Sequence, residues 1–200
     1  MLHSAAVCAA FYQKNKNIKM NKVYLFLADG FETVEALAPV DVMRRAGLQV
    51  VTVSIMGRRN VVSAQGVTVE ADALFDEVAL EGAAALVLPG GGVGTDNLSA
   101  HTALRALLES ECAKGVLVAA ICAAPMVLGR TGLLNGKRAT CYPGCESDLF
   151  GATYTAVPVE QDGNIITACG PGVSFDFGFA IVERLCGKEI VDTLRSQMQF

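Results

Sequence analysis

The sequence predicts an α/β sandwich built around a mostly parallel sheet. Short runs of apolar, often β-branched residues alternate along the chain with longer segments whose apolar residues recur at helical spacing. Several of the short runs are apolar throughout rather than alternating, as in strands buried on both faces. The composition agrees: 52% of the 200 residues are hydrophobic and 18% charged, which favours a doubly covered sheet over an antiparallel one with a wet face.

Lys22 to Ala28 (KVYLFLA) reads as the first strand, broken by Asp29-Gly30. Val34, Leu37, Ala38, Val42 and Met43 then fall at helical spacing within Glu32 to Ala46, and Gly47 is the stop. Pro39 inside this pattern predicts a kink or two shorter helices. Leu48 to Ile55 is the second strand and Gly57 to Asn60 a basic turn. Val61-Val62 and Val67 to Glu70 are short strands around Gly66, and Leu74 to Val78 a helical turn. Ala84 to Leu88 is a buried strand ending in Pro89-Gly90-Gly91-Gly92-Val93-Gly94. Ser99 is the expected cap of a helix carrying Leu104, Leu107 and Leu108 that ends near Gly115.

Val116 to Ile121 is again a buried strand, and a helix is expected from Ala123, with Pro125 in its first turn and a stop at Gly129 or Gly132. Ala139 to Cys141 is a short strand and Ser147 to Phe150 a turn or short helix. Val157 to Glu160 and Asn164 to Ala168 form a hairpin about Gln161-Asp162-Gly163. Gly170-Pro171-Gly172 opens a helix over Ser174 to Leu185, and Lys188 to Met198 is a last amphipathic helix. No repeat, linker or low-complexity tract interrupts this order, so residues 20–200 are read as a single domain.

Bulk properties exclude several functions. A net charge of −4 without a Lys/Arg cluster leaves no footprint for nucleic acid or an anionic membrane. The longest apolar run, Val116 to Leu128, is broken by Pro125 and too short to span a bilayer. Residues 1–19 lack a basic region ahead of their apolar part and make a poor signal peptide. Met20 directly precedes the first strand, so that tail is read as disordered or as an artefact of start-site choice. Seven cysteines (Cys8, Cys112, Cys122, Cys141, Cys145, Cys169 and Cys186) form no CxxC pair. Cys141 and Cys145 have neither a nearby histidine nor a second pair, which argues against zinc. Free cysteines point to a reducing, cytoplasmic compartment.

Cys122 is the strongest candidate for chemistry. It sits where a buried strand meets a helix start, and open α/β sheets place ligands at the carboxyl ends of their strands. There the helix start would stabilise a thiolate. The alternative is a buried structural cysteine, a small hydrophobe like most of the others. Gly90-Gly91-Gly92 can bring bare N–H groups to a reacting atom, or can simply form a tight turn. No GK[ST] follows it and it is not GxGxxG, so nucleotide binding is not expected. A histidine base is hard to place: His3 is in the tail, and His101 reads as a surface residue early in a helix. The remaining acid/base candidates are Glu32 and Glu35. Spacing alone leaves open whether one of them partners the thiol or both solvate a helix N-terminus.

Four segments in order carry a resemblance: ADGFETVEALAPVDVMRRAG, LVLPGGGVG, AAICAAP and GPGVSFDFGFAIVERLCGKE. Together they resemble the ThiJ/PfpI superfamily, in the branch of the parkinsonism-associated protein deglycase and its bacterial relatives, over about residues 20–198. The resemblance implies a flavodoxin-like three-layer sandwich with a nucleophile elbow, usually homodimeric. It implies that Cys122 is the nucleophilic, oxidation-sensitive cysteine and Glu35 the protonated glutamate bonded to it. Gly91 and Ala123 would supply oxyanion-binding backbone N–H groups. Glu32 and Arg45 would line the pocket and the nearby dimer interface, and Pro171 a pocket wall.

Two positions depart from the family pattern. Protease-like members carry histidine directly after the cysteine, where this chain has Ala123. The deglycase branch often has a histidine near the site where this chain has Tyr142, which leaves Tyr142 or Glu35 to shuttle the proton. No residue supports thiazole-phosphate chemistry. The implied function is a cysteine-dependent glyoxalase or deglycase, a hydro-lyase or hydrolase acting on small reactive aldehydes or their adducts without metal or organic cofactor. The alternatives are a redox-sensing protein whose Cys122 goes to sulfinate without turnover and, with less support, an amidase or peptidase.

Overall fold

The computed structural model describes residues 22–80 and 82–200; the expectations for the first nineteen residues lie outside the described residues. The central sheet has strands β1 (Val23–Leu27), β2 (Val50–Ser54), β5 (Ala73–Leu74), β6 (Ala85–Leu88), β7 (Leu117–Ile121), β10 (Val159–Asp162) and β11 (Ile165–Ala168). Their spatial order is β10-β11-β7-β6-β1-β2-β5. All neighbours are parallel except the β10–β11 hairpin at one edge. Two small sheets lie outside it: the antiparallel hairpin of β3 (Asn60–Val62) with β4 (Thr68–Glu70), and the parallel pair of β8 (Arg138–Ala139) with β9 (Thr153–Tyr154).

Both faces of the sheet are covered, and the strand period of two sorts the core into two layers. Val23, Leu25 and Leu27 of β1 pack on one face with α1 (Thr33–Arg45), α5 (Ser174–Cys186) and α6 (Lys188–Gln197), through residues such as Met43, Phe177 and Val191. Tyr24 and Phe26 pack on the other with α2 (Gly92–Ala100), α3 (Thr102–Ala113) and α4 (Pro125–Arg130), through Leu98, Leu108 and Leu128. This is the expected three-layer α/β sandwich. β1 has β2 on one side and β6 on the other, so the strand order reverses there. Crevices at such a switch point open at the carboxyl ends of the strands.

Several elements differ from the sequence expectation. Pro39 does not divide its helix: α1 is continuous. The proline removes the amide that would bond the Glu35 carbonyl, and close packing against α5 holds the helix together; a Cβ at Gly178 would sit 3.0 Å from Pro39 Cα. The glycine-rich segment after β6 is helical from Gly92, so Ser99 lies inside α2 and caps nothing. His101 is the cap of α3, its Nδ1 accepting from Leu104 N–H at 3.1 Å. It is half-buried, with its ring 4.7 Å from that of Phe75, rather than a free surface histidine. Helix α4 starts at Pro125, two residues later than expected, and is only six residues long. The β10–β11 loop is Gly163-Asn164, with Asp162 paired to Ile165.

Candidate active site

Three strand ends build the site. After β1 the chain turns through Gly30 into α1, which carries Glu35 in its first turn. After β6 comes Pro89-Gly90-Gly91, and after β7 comes Cys122. Because β1, β6 and β7 are adjacent and parallel, all three exits open on one crevice.

Cys122 has φ of +65°, the left-handed region. For a residue with a Cβ this costs about 1–2 kcal/mol. Two backbone bonds of 2.8 Å hold it there: its N–H donates to the Ala168 carbonyl, and its carbonyl accepts from Tyr142 N–H. The strain aims the thiol away from the strand direction and into the crevice, as a nucleophile elbow does. The side chain is 9% exposed.

Glu35 is fully buried. Its Oε2 accepts Gly90 N–H at 3.0 Å, and Oε1 meets no conventional donor. The carboxyl lies against the Cys122 thiol, close enough to interact through a proton. Burial, reinforced by the nearby Glu32 charge, raises the Glu35 carboxyl from its ordinary 4.5 to about 7, against the opposing bonds from Cys122 and Gly90. A buried carboxyl with an unpaired oxygen favours its neutral form.

With Glu35 ionised, burial and that neighbouring charge push the Cys122 thiol up to about 12, while the N–H groups of Gly91 and Ala123 pull the other way. The two groups titrate as a unit. When the carboxyl holds the proton, repulsion is replaced by a donated hydrogen bond, and the same two N–H groups face a thiolate. Individual N–H groups therefore serve the sulfur here, and that of Ala123 lies in the turn leading into the six-residue α4.

The glycines are required by space. A Cβ at Gly90 would stand 2.6 Å from both Cys122 Cβ and Glu35 Oε2. At Gly91, where φ is +91°, it would stand 2.2 Å from the Gly30 carbonyl oxygen.

The structure brings Cys122, Glu35, Gly91 and Ala123 together. Glu32 is beside them, half-buried at the cap position of α1, with Oε2 accepting from Gln65 Nε2 at 2.7 Å. Tyr142 is 49% exposed and tied to Cys122 by its amide. Its ring packs on Gly170, next to the exposed Pro171. Arg45 is not brought in. It ends the helix that carries Glu35, about 15 Å along the axis from it, and its Nε bonds Asp41 at 2.8 Å. Within one chain Arg45 therefore stands apart from the Cys122–Glu35 pair, at the far end of α1.

Of two further contributors, Gly90 lies in the glycine run marked in the sequence as a source of N–H groups, though not as a partner of Glu35, and Gln65 had no local signal. Gly90 donates to Glu35, and Gln65 reaches α1 from the β3–β4 turn. Among the described residues no group of three or more His, Cys, Asp or Glu could hold a metal ion. The six described cysteines are free thiols.

Comparison with known proteins agrees with this fold. A sequence model of the DJ-1/PfpI family matches residues 21–184. The Parkinson disease protein 7 homolog of Danio rerio is 35% identical over 181 residues, covering 88% of this chain and 96% of that protein. A deglycase of Pyrococcus abyssi is 32% identical over 154 residues, covering 76% of this chain and 91% of its own. Among solved structures, an oxidised DJ-1 of Toxoplasma gondii superposes with a TM-score of 0.86 at 33% identity, over 90% of this chain and 98% of that one.

Proposed function

The chain belongs to the DJ-1/PfpI family, and from that premise we propose that it is a cysteine-dependent enzyme of the glyoxalase or deglycase type. It acts on small reactive aldehydes such as methylglyoxal, or on their adducts with amines and thiols. The observation that carries this reading is the buried Glu35 carboxyl against Cys122, with Gly91 and Ala123 N–H groups on the sulfur. A similar deglycase in Pyrococcus abyssi supports the reaction class.

In the proposed reaction the pair shifts one proton from sulfur to carboxylate, giving the thiolate. Sγ bonds the aldehyde carbon and the carbonyl π pair moves to oxygen, which takes the proton from Glu35, completing the hemithioacetal and leaving Glu35 ionised as the base. The Gly91 and Ala123 N–H groups hold that oxygen while its negative charge develops. Glu35 then carries the proton from the aldehyde carbon to the adjacent carbonyl carbon, through the enediol, which leaves a thioester. Water adds to the thioester and Sγ departs with its electron pair, releasing the 2-hydroxy acid. The balance is methylglyoxal plus water to lactate, with no external oxidant or reductant. Tyr142, at the rim, is the second candidate for moving a proton.

The test is lactate formation from methylglyoxal by protein free of contaminating glyoxalase. Parent activity with Cys122→Ala abolished and Glu35→Gln lowered at least 100-fold is expected. A Cys122→Ala variant as active as the parent overturns the reading.

The second reading is a redox sensor, supported by the same thiol and by the oxidised state of the Toxoplasma gondii relative. Here peroxide takes Cys122 to sulfinate, whose oxygens meet the Gly91 and Ala123 N–H groups, with Glu35 bonding an oxygen. A mass gain of two oxygens at Cys122 under mild peroxide, with no aldehyde turnover, favours it. Peptidase chemistry is less favoured: the residue after Cys122 is Ala123, and His101 is engaged as a helix cap. We further infer a homodimer in the reducing cytoplasm, to be checked by light scattering and fractionation.

A further inference from the structure

We propose that Gln65, at the turn of the β3–β4 hairpin, is a positioning residue for the Glu35–Cys122 pair, acting as the N-cap that α1 lacks and as the tether of Glu32. The inference rests on reading Glu35 and Cys122 as the reactive pair.

Helix α1 begins after Glu32, whose own side chain makes no cap bond. The amide of Thr33 is met instead by Gln65 Oε1, at 3.1 Å, from thirty-two residues along the chain. The same oxygen accepts the Thr33 hydroxyl at 2.7 Å, and that hydroxyl lies 2.8 Å from Ser63 Oγ. The other end of the amide, Nε2, donates to Glu32 Oε2 at 2.7 Å. The hairpin is fastened beside these bonds: Gly30 N–H donates to the Val62 carbonyl and Ala64 N–H to that of Phe31. One neutral amide therefore closes the first turn of the helix that carries Glu35 and bonds Glu32, the carboxylate whose charge acts on Glu35. The titratable groups acting on Glu35 are Cys122 and Glu32. Glu32 is thus the one charge the hairpin can adjust without touching the pair.

Removing the amide frees Glu32 and loosens the turn. The unbonded carboxylate adds negative potential at the pair, which disfavours a thiolate there. A glutamate at position 65 separates the two roles. Its carboxylate accepts from Thr33 as well as an amide does, but it cannot donate to Glu32, and it brings a like charge.

The measurement is alkylation of Cys122 by iodoacetamide between pH 5 and 9, followed by mass, on the full chain of parent, Gln65→Ala and Gln65→Glu, with a thermal melt for each. This readout does not depend on aldehyde turnover, so it stands or falls apart from the proposed enzyme activity. The midpoint is expected to rise by about half a pH unit in Gln65→Ala and further in Gln65→Glu. Raising ionic strength to 0.5 M should shrink the second rise, since position 65 is exposed. A Gln65→Glu midpoint equal to the parent's overturns the proposal, because a cap with only a structural role is kept by that substitution. If Gln65→Ala fails to fold, Gln65→Glu decides alone.

Discussion

At Cys122 one residue combines a strained backbone and a shared proton. The left-handed conformation is affordable because two backbone bonds fix it, and it places the sulfur between Glu35 and the Gly91 and Ala123 amides. Replacing Glu35 by alanine removes the donor to the thiolate, and the alkylation midpoint of Cys122 is expected to rise by more than one pH unit. Glutamine keeps a neutral donor, and its midpoint should stay within about one unit of the parent's.

Glu35 also sets a stability dependence at the same scale. Its folded-state value, about 7, lies above the ordinary 4.5, so its contribution is full below pH 4.5 and is lost as pH rises through 7. At about 1.36 kcal/mol per pH unit the window is worth about 3 kcal/mol. Glu35→Gln should flatten the urea-measured stability profile between pH 5 and 8 and be more stable than the parent at pH 8. A parallel pair of profiles would show that burial does not hold the proton.

The elements matter through where they end. The turn after β6 must pass within van der Waals distance of the turn after β1, and only glycine fits. Gly91→Ala is expected to destabilise by about 3 kcal/mol or more, since it adds overpacking to an unfavourable φ. Chemical denaturation measures it, and a loss below about 1 kcal/mol would mean that the turn yields easily. The boundaries that the sequence misplaced also lie here. Gly92 and Gly94 carry no helix signal, yet α2 begins at Gly92 because its first turn rests on the β1–α1 corner: a Cβ at Gly94 would meet the Phe31 backbone at 2.8 Å. His101 accordingly became a cap, which a sequence lacking the preceding helix cannot suggest.

In the whole molecule, two cores share one sheet. Phe177 belongs to the face covered by α1, α5 and α6, and Leu88 to the face covered by α2, α3 and α4. Because β1, β6 and β7 serve both faces, a cavity on either side should lower the stability of the whole sheet. Phe177→Ala is expected to cost about 3–5 kcal/mol and Leu88→Ala about 2–5 kcal/mol. Each should give a single unfolding transition with circular dichroism and fluorescence changes coinciding; separate transitions would reveal independent layers. Among the described residues no helix is long and apolar enough to cross a membrane.

The alternation of apolar runs with helical spacing was enough to determine the layered α/β class, since burial on both faces leaves a local imprint on every strand. Motif order was enough to determine the family. Cys122 as a candidate was legible from its place at a strand end, and Glu35 was separated from Glu32 only by resemblance, because both sit at a helix start. What tertiary structure decided was contact between distant segments. It placed Glu35 under Cys122 and Gly90, left Arg45 a helix length away, and brought Gln65 from a hairpin turn to cap α1. Such contacts leave no local pattern: the energy of a buried carboxyl or a trans cap depends on what stands opposite it. The thiol at the end of β7 was thus visible as a position, and its proton partner became visible only when three strand ends met.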